Sequence, residues 1–374
     1  MKVLIAAGGT AGHINPALAM ASVIRAHCPD AEIHFAGRRK GMEYGLVTKA
    51  GYAFHPIEVN GIQRRLTPKN VARNVVALYH LALSAPRANA ILKEVQPDLV
   101  IGAGGYVSGP IVQAAARKGI LTAIHEQNAF PGVTNKILAK SVDVVFAAMP
   151  DAVERLGAAD KTVVVGNPVR AEIYTQDRTS ARQALGLSAD RIMILSFGGS
   201  LGAQRVNEVV ADLAQWELEQ KNFYHIHATG SIEKDDFAKL SAQKKIDGDP
   251  RFAIREYIDD MPRLLAAADL VISRAGALTL AEIAAMGRAS VLIPSPNVAE
   301  NHQYHNAMQL QKLGAAVVVE EKNLTGEKLI EIVDGLTRDP AKLMEMGVKA
   351  KALSQPDSLE KIWKTLEPHL KNIK

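Results

Sequence analysis

The chain has 374 residues, 48% hydrophobic and 22% charged, a composition that buries a core and argues against a disordered chain. That length exceeds one ordinary hydrophobic core and suits two domains. The formal net charge of +5 favours an anionic partner without choosing among a phosphate ligand, a nucleic acid and an acidic lipid surface; the single cysteine, Cys28, excludes an intrachain disulfide and suits a reducing compartment, and no Cys/His cluster has zinc spacing.

In chain order, Val3–Ala7 is predicted to be a buried strand and Pro16 to Arg25 a helix, with Pro16 near its start, where a missing N–H is harmless. Residues Val3 to Ile24 carry no charge and read superficially as a membrane anchor, but Gly8-Gly9-Thr10-Ala11-Gly12-His13-Ile14-Asn15-Pro16 would break an apolar helix. Further strands are expected at Glu32–Ala36, Leu99–Ile101, Thr122–His125, Val144–Ala147 and Thr162–Val165, with helical stretches between most of them. The pattern then restarts. Arg191–Phe197 is a strand, Gly198-Gly199-Ser200-Leu201-Gly202 a loop and Ala203–Leu213 a helix. Strands follow at Phe223–Ala228, Phe252–Arg255, Leu270–Ser273, Ala289–Ile293 and Ala315–Val319, with helices at Ala277–Ala285 and His302–Leu313. Helical Leu329–Leu336 and a tail Leu359–Leu370 come last. Two α/β, Rossmann-like domains in tandem account for the repetition, with a boundary near Gly166-Asn167-Pro168. The expected division is 1–166, 167–345 and a helical tail 346–374 that packs back on the first domain.

The glycine loops suit phosphate, because backbone N–H groups and a helix N-terminus converge there; they also serve as plain strand-to-helix turns. Neither matches G-x-G-x-x-G. A third cluster, Gly102-Ala103-Gly104-Gly105-Tyr106-Val107-Ser108-Gly109, follows a strand toward the same edge. His13 stands as a general base or as a loop histidine bonded only to backbone. His125-Glu126-Gln127-Asn128 either binds a polar ligand or braces loops. Glu282 either takes ribose hydroxyls or stabilises its own helix, and Asn301 beside His302-Gln303 either meets a sugar or caps a helix. Arg64, Arg65, Lys69, Arg73 and Arg87 surround the apolar stretch Val75–Leu83, which is either a lipid-docking surface or a crossover helix with a basic rim. No Asp-x-Asp pair follows a strand, so a nucleotide-sugar enzyme of this sequence would offset leaving-group charge with N–H groups and cations such as Arg170, without metal or other cofactor.

Together these motifs resemble the MurG family of bacterial transferases. The resemblance rests on Gly8–His13, Gly104–Gly109, His125–Asn128, Gly166–Arg170, Gly198–Ala203, Tyr257–Met261, Arg274–Thr279 and His302-Gln303, in the family's order over nearly the whole chain. It implies a GT-B fold, two Rossmann-like domains facing each other across a cleft. It implies inverting transfer of GlcNAc from UDP-GlcNAc to the MurNAc 4-hydroxyl of undecaprenyl-diphospho-MurNAc-pentapeptide (lipid I), giving lipid II for peptidoglycan. It further implies His13 as the base, with Thr10, Ala11, Gly12, Asn128, Arg170, Ser200, Ile258 (through its backbone), Ala277, Leu278, Thr279, Glu282 and Gln303 on the donor. Gly104, Gly105, Tyr106 and Glu126 would meet the acceptor, and Arg73, Val75, Val76, Tyr79 and Leu83 the anionic cytoplasmic face of the plasma membrane. Cell-wall synthesis or divisome proteins are implied as partners and nucleic acid is not. Ala11 departs from the family's Gly-Gly-Thr-Gly-Gly-His; if φ there were positive, the loop would be strained. The rivals are a non-hydrolysing UDP-GlcNAc 2-epimerase, an NAD-dependent oxidoreductase, which the missing fingerprint disfavours, and a non-catalytic nucleotide-sugar sensor or membrane scaffold.

Overall fold

The computed structural model describes residues 1–59, 68–188, 190–220 and 222–371, and not the side chains of 68–79, 81, 82 and 299. Arg64 and Arg65 therefore lie outside the described residues, as do the side chains of Lys69, Arg73, Val75, Val76 and Tyr79. The chain divides into two compact units, one of Met1–Val169 with the segment from Asp357, the other Arg170–Pro356.

The first unit holds β1 (Lys2–Ala6), β2 (Glu32–Gly37), β3 (Ala53–Pro56), β4 (Leu99–Gly102), β5 (Leu121–Glu126), β6 (Val144–Ala147) and β7 (Thr162–Val164). They form one parallel sheet in the order β3-β2-β1-β4-β5-β6-β7. The continuous apolar run of β1 has a simple cause. Leu4 and Ala6 pack on one face with Ile91, Leu92 and Ile111, while Val3 and Ile5 pack on the other with Ile14, Met20 and Ile24. Both faces are covered by helices, so every position must be apolar. The C-terminal helix Ser358–Lys371 contributes Ile362, Trp363 and Leu366 to the second of these cores, and the His27 ring stacks on Trp363 at 4.7 Å. The helix Pro340–Lys351 belongs to the other unit.

The second unit holds β8 (Ile192–Phe197), β9 (Phe223–Ala228), β10 (Phe252–Arg255), β11 (Leu270–Ser273), β12 (Ala289–Leu292) and β13 (Ala316–Val318). The order is β10-β9-β8-β11-β12-β13, again all parallel. The expected pair of Rossmann-like sheets is present. In each, the winding reverses beside the first strand, between β1 and β4 and between β8 and β11. Ligands of open α/β sheets bind at that switch point, off the carboxyl ends of the strands.

Two local expectations need correction. The first helix runs Ala11–His27, not Pro16–Arg25, so Pro16 lies inside it and His13 is in its first turn and not in a loop. Thr10 precedes the helix in extended conformation but makes no side-chain capping bond, and no acidic residue marks the first turn. Of the usual start signals only Thr10 at the N-cap position is present. Edge strand β3 was not anticipated, because Ala-Phe-His-Pro is short and half-exposed. The stretch Val75–Leu83 lies in one helix, Pro68–Val95. Among the described residues no helix is long and apolar enough to cross a membrane.

Candidate active site

In the first unit, three strand ends build one surface. The loop after β1 carries Gly8 and Gly9, and the loop after β4 packs directly against it. A Cβ on Gly105 would stand 2.3 Å from the Gly8 carbonyl oxygen, and one on Gly104 only 2.4 Å from His13 Nδ1. Gly104 and Gly105 also hold positive φ, 105° and 81° respectively, so side chains are excluded by backbone conformation as well as by space. Ser108 ties this loop down: its Oγ accepts the Gly104 N–H at 3.1 Å and lies 2.9 Å from the carbonyls of Ala6 and Gly104. Tyr106 then projects from a rigid base with 59% of its surface exposed. Ala11 opens the helix and is not among the residues with positive φ, so the departure from the family's glycine carries no backbone strain.

His13 is half-buried, and its Nδ1 lies 3.2 Å from Gln127 Oε1. Burial pushes its pKa below the ordinary histidine value of 6.5. The positive end of its own helix acts in the same direction. Burial also lowers His125 to about 4, and its Nε2 donates to the Gly166 carbonyl at 3.0 Å. Glu126, expected on the acceptor, is buried with its carboxylate occupied by the protein. It accepts from the Asn128 N–H and side-chain amide, the Gly132 N–H and the Asn135 amide, at 2.8–3.1 Å. Burial raises its pKa. The geometry thus makes Glu126 a brace for the turn that presents Asn128.

In the second unit, most of the residues expected on the donor lie in or beside the loops after β8, β10, β11 and β12. Gly202 holds φ +91° and its Cα sits against the Thr229–Gly230 backbone, which fixes the Gly198–Gly202 turn. The Ser200 carbonyl accepts the Ser231 N–H at 3.2 Å. The helix Ala277–Met286 opens with Gly276 as N-cap, so Ala277, Leu278 and Thr279 form its first turn. Glu282 is buried beneath them, and burial raises its pKa to about 7 despite Arg170 nearby. Gln303, at the start of the helix His302–Lys312, accepts the Ser295 N–H through Oε1 at 2.9 Å, which directs its amide NH2 elsewhere. Asn301 precedes that helix but makes no side-chain cap bond; it and Glu300 both adopt left-handed φ, 49° and 52°. The Ile258 side chain is buried, leaving its backbone as the group a ligand would meet.

Two buried groups escaped sequence reasoning. Glu43, 1% exposed, accepts N–H groups from Arg38 (3.0 Å) and from Gly9 of the first loop (3.5 Å). It lies against Gly8, Gly37 and Gly41, where added Cβ atoms would come within 2.1–2.7 Å of its side chain. The second is a polar chain under the second glycine loop. His225 Nδ1 is 2.7 Å from Glu217 Oε2, and Ser196 Oγ bridges His225 Nε2 (2.6 Å) and His227 Nδ1 (2.7 Å). His227 Nε2 lies 3.2 Å from Asn207 Oδ1, and the Asn207 amide donates to the Thr229 carbonyl at 3.0 Å. Burial holds His227 down to about 3, so its ring is neutral. The His-x-His spacing put both rings on one strand face; nothing in the sequence paired them with Ser196.

Residues 3–147 match the glycosyltransferase family 28 N-terminal domain, and residues 193–362 the family 28 C-terminal domain. The chain is similar to a protein of Acetivibrio thermocellus, 43% identical over 372 residues that span 100% of this chain and 99% of the relative. It is 40% identical to one of Clostridioides difficile, over 97% of this chain and 88% of the relative. Both bear the name UDP-N-acetylglucosamine–N-acetylmuramyl-(pentapeptide) pyrophosphoryl-undecaprenol N-acetylglucosamine transferase. Among solved structures, MurG of Acinetobacter baumannii superimposes with a TM-score of 0.74 at 29% identity, covering 98% of this chain and 99% of that one. A UDP-GlcNAc 2-epimerase from Neisseria meningitidis, bound to UDP-GlcNAc, gives 0.67 at 14% identity over 98% and 100%, a likeness of fold alone.

Proposed function

From the premise that this chain belongs to glycosyltransferase family 28, we propose that it transfers GlcNAc from UDP-GlcNAc to the MurNAc 4-hydroxyl of lipid I, forming lipid II with inversion at the sugar. The observation that carries the reading is the full-length identity of 43% to a protein named for this transfer.

The chemistry is one displacement. The acceptor oxygen bonds to the anomeric carbon as the bond to UDP breaks, and the hydroxyl proton passes to His13. Charge that builds on the departing diphosphate is offset by N–H groups of the Gly198–Gly202 turn with Ser200, by the helix N-terminus at Ala277, Leu278 and Thr279, and by Arg170. Glu282 takes the ribose hydroxyls, the Ile258 backbone the uracil edge, and the Gln303 amide the GlcNAc hydroxyls. Thr10, Ala11, Gly12 and Asn128 line the donor sugar. Gly104, Gly105 and Tyr106 receive the acceptor diphosphate. A membrane role belongs to Arg73, Val75, Val76, Tyr79 and Leu83 of the helix Pro68–Val95, whose basic and apolar residues would bring the chain to an anionic surface that carries the lipid acceptor. Flotation with anionic but not neutral vesicles supports that role; equal flotation with both refutes it.

The reaction is tested with labelled UDP-GlcNAc and a short-chain lipid I analogue in the presence of EDTA. Lipid-linked GlcNAc formed in step with UDP release supports the assignment. Conversion of UDP-GlcNAc without acceptor would instead identify an epimerase, and binding without turnover a sensor.

A further inference from the structure

The structure assigns Gln127 as the residue that sets the tautomer of His13 and so leaves its Nε2 free to take a proton. This rests on the reading of His13 as the base, and deepens it.

A glutamine amide has an oxygen that only accepts and a nitrogen that only donates, and which is which follows from its partners. Gln127 is 2% exposed, so no water competes for them. On one side lie the carbonyl oxygens of Ala103, at 2.7 Å, and of His125, at 3.2 Å. Both are acceptors, so the amide nitrogen must face them. The reverse orientation would place three oxygens against one another in a buried site and leave the NH2 facing His13. Gln127 Oε1 therefore faces His13 Nδ1, 3.2 Å away. Because Oε1 only accepts, Nδ1 carries the proton. A neutral ring has one N–H, so Nε2 holds the lone pair.

The surroundings keep this arrangement. The backbone carbonyl of Gln127 accepts the Asn167 amide at 3.0 Å, which pins the strand end from below. Gly104 packs directly against the Nδ1 side of the ring, which holds the ring beside the Gln127 amide. The titratable neighbour is His125, which burial keeps neutral above about pH 4; no positive charge from it opposes proton uptake by His13 near neutrality. Burial itself keeps His13 unprotonated at that pH. Gln127 makes no contact with substrate in this account. It is a positioning residue.

The test uses the full chain labelled with 15N-histidine, His13→Ala to assign the His13 signals, and two variants, Gln127→Met and Gln127→Glu. In wild type the 15N shifts should show a protonated Nδ1 and a bare Nε2. Gln127→Met should lose that preference and lower kcat by about 10- to 1,000-fold, the range of a misdirected general base, with KM for UDP-GlcNAc unchanged. Gln127→Glu keeps an acceptor on Nδ1, its other oxygen meeting the Ala103 and His125 carbonyls as a protonated O–H, so it should keep the wild-type tautomer and exceed the activity of the Met variant. A protonated Nε2 in wild type overturns the assignment. So does a Met variant that keeps the wild-type tautomer, or Met and Glu variants with equal losses, since mere loosening of the loop would give that. A wild-type chain with no acceptor-dependent transfer would defeat the reading of the reaction; the tautomer is then decided by the 15N spectrum alone.

Discussion

Arg170 Nη2 stands 3.8 Å from Glu282 Oε1, too long for a hydrogen bond, so the guanidinium only partly offsets the burial that raises this acid to about 7. An uncharged acid is a poor acceptor for two ribose hydroxyls. UDP affinity should therefore rise as pH rises through about 7, and the dependence should vanish in Glu282→Gln. Subtracting the variant's curve from the wild type's removes the titration of the phosphates themselves. Free of ligand, the sign reverses. A folded pKa above the unfolded value near 4.5 means that folding takes up a proton, so this group's contribution is fullest below about 4.5 and is lost as pH rises through about 7. Thermal melts of the free Glu282→Gln chain should then fall less than wild type between pH 5 and 8, to the order of a few degrees.

Glu43 is the support of the first glycine loop. Replacing it with Ala leaves the Arg38 and Gly9 N–H groups without their carboxylate and opens a void beside Gly8, Gly37 and Gly41. The expected loss is about 2–4 kcal/mol of stability, measured by urea unfolding. Turnover should fall more than UDP affinity, because the proposed contacts to the uracil, ribose and UDP diphosphate lie in the other unit. Gly41→Ala offers a check from the opposite side, because its Cβ would stand 2.1 Å from Glu43 Oε2 and displace the same carboxylate. If Gly41→Ala leaves turnover intact, the brace is not what positions the loop.

Ser196 Oγ bridges the two buried imidazoles of the polar chain, so Ser196→Ala strips a hydrogen-bond partner from each of His225 and His227 at once. That should cost about 2–4 kcal/mol in urea unfolding at pH 7. Through Asn207 and the Thr229 carbonyl the chain ends against Gly202, so weaker UDP binding should accompany the loss. Unaltered UDP affinity in a destabilised variant would confine the chain to a structural role.

What could be read in advance follows from the distance over which the signal acts. The apolar run Val3–Ala7 and the repeat of its glycine loop at Gly198 are local, and they were enough for two parallel sheets with their switch-point loops. The start of the first helix is hidden because Gly12, His13 and Pro16 look like turn residues, which outweighs Thr10 at the cap position. Glu43 reads as an ordinary first-turn acid of the helix Met42–Lys49; its meaning lies in glycines at 8, 37 and 41 that only the fold brings to it. The position of Ser196 between His225 and His227 is a matter of strand register, in which Ser196 pairs with His227, and register between distant strands leaves no trace in one sequence. Glu126 reads as a polar residue at a strand end; its four donors come from the turn after it and from Asn135 of the helix Val133–Leu138.

Tyr106 separates loop architecture from acceptor contact. Its ring is largely exposed, while the loop below it is fixed by Ser108 and by the contacts of Gly104 and Gly105. Truncation to Ala therefore removes surface without removing support, and stability should stay within about 0.5 kcal/mol of wild type. If the ring meets the acceptor, KM for the lipid I analogue should rise by about tenfold, which one lost contact of about 1.4 kcal/mol supplies, with KM for UDP-GlcNAc unchanged. Gly105→Ala is the contrasting variant. Its Cβ would run into the Gly8 carbonyl at 2.3 Å and its φ of 81° disfavours any side chain, so both loops must shift. That variant should lose kcat as well as acceptor affinity, because Gly104 and His13 move with it. Matching kinetic defects in Tyr106→Ala and Gly105→Ala would mean that the tyrosine acts through the loop and not on the acceptor.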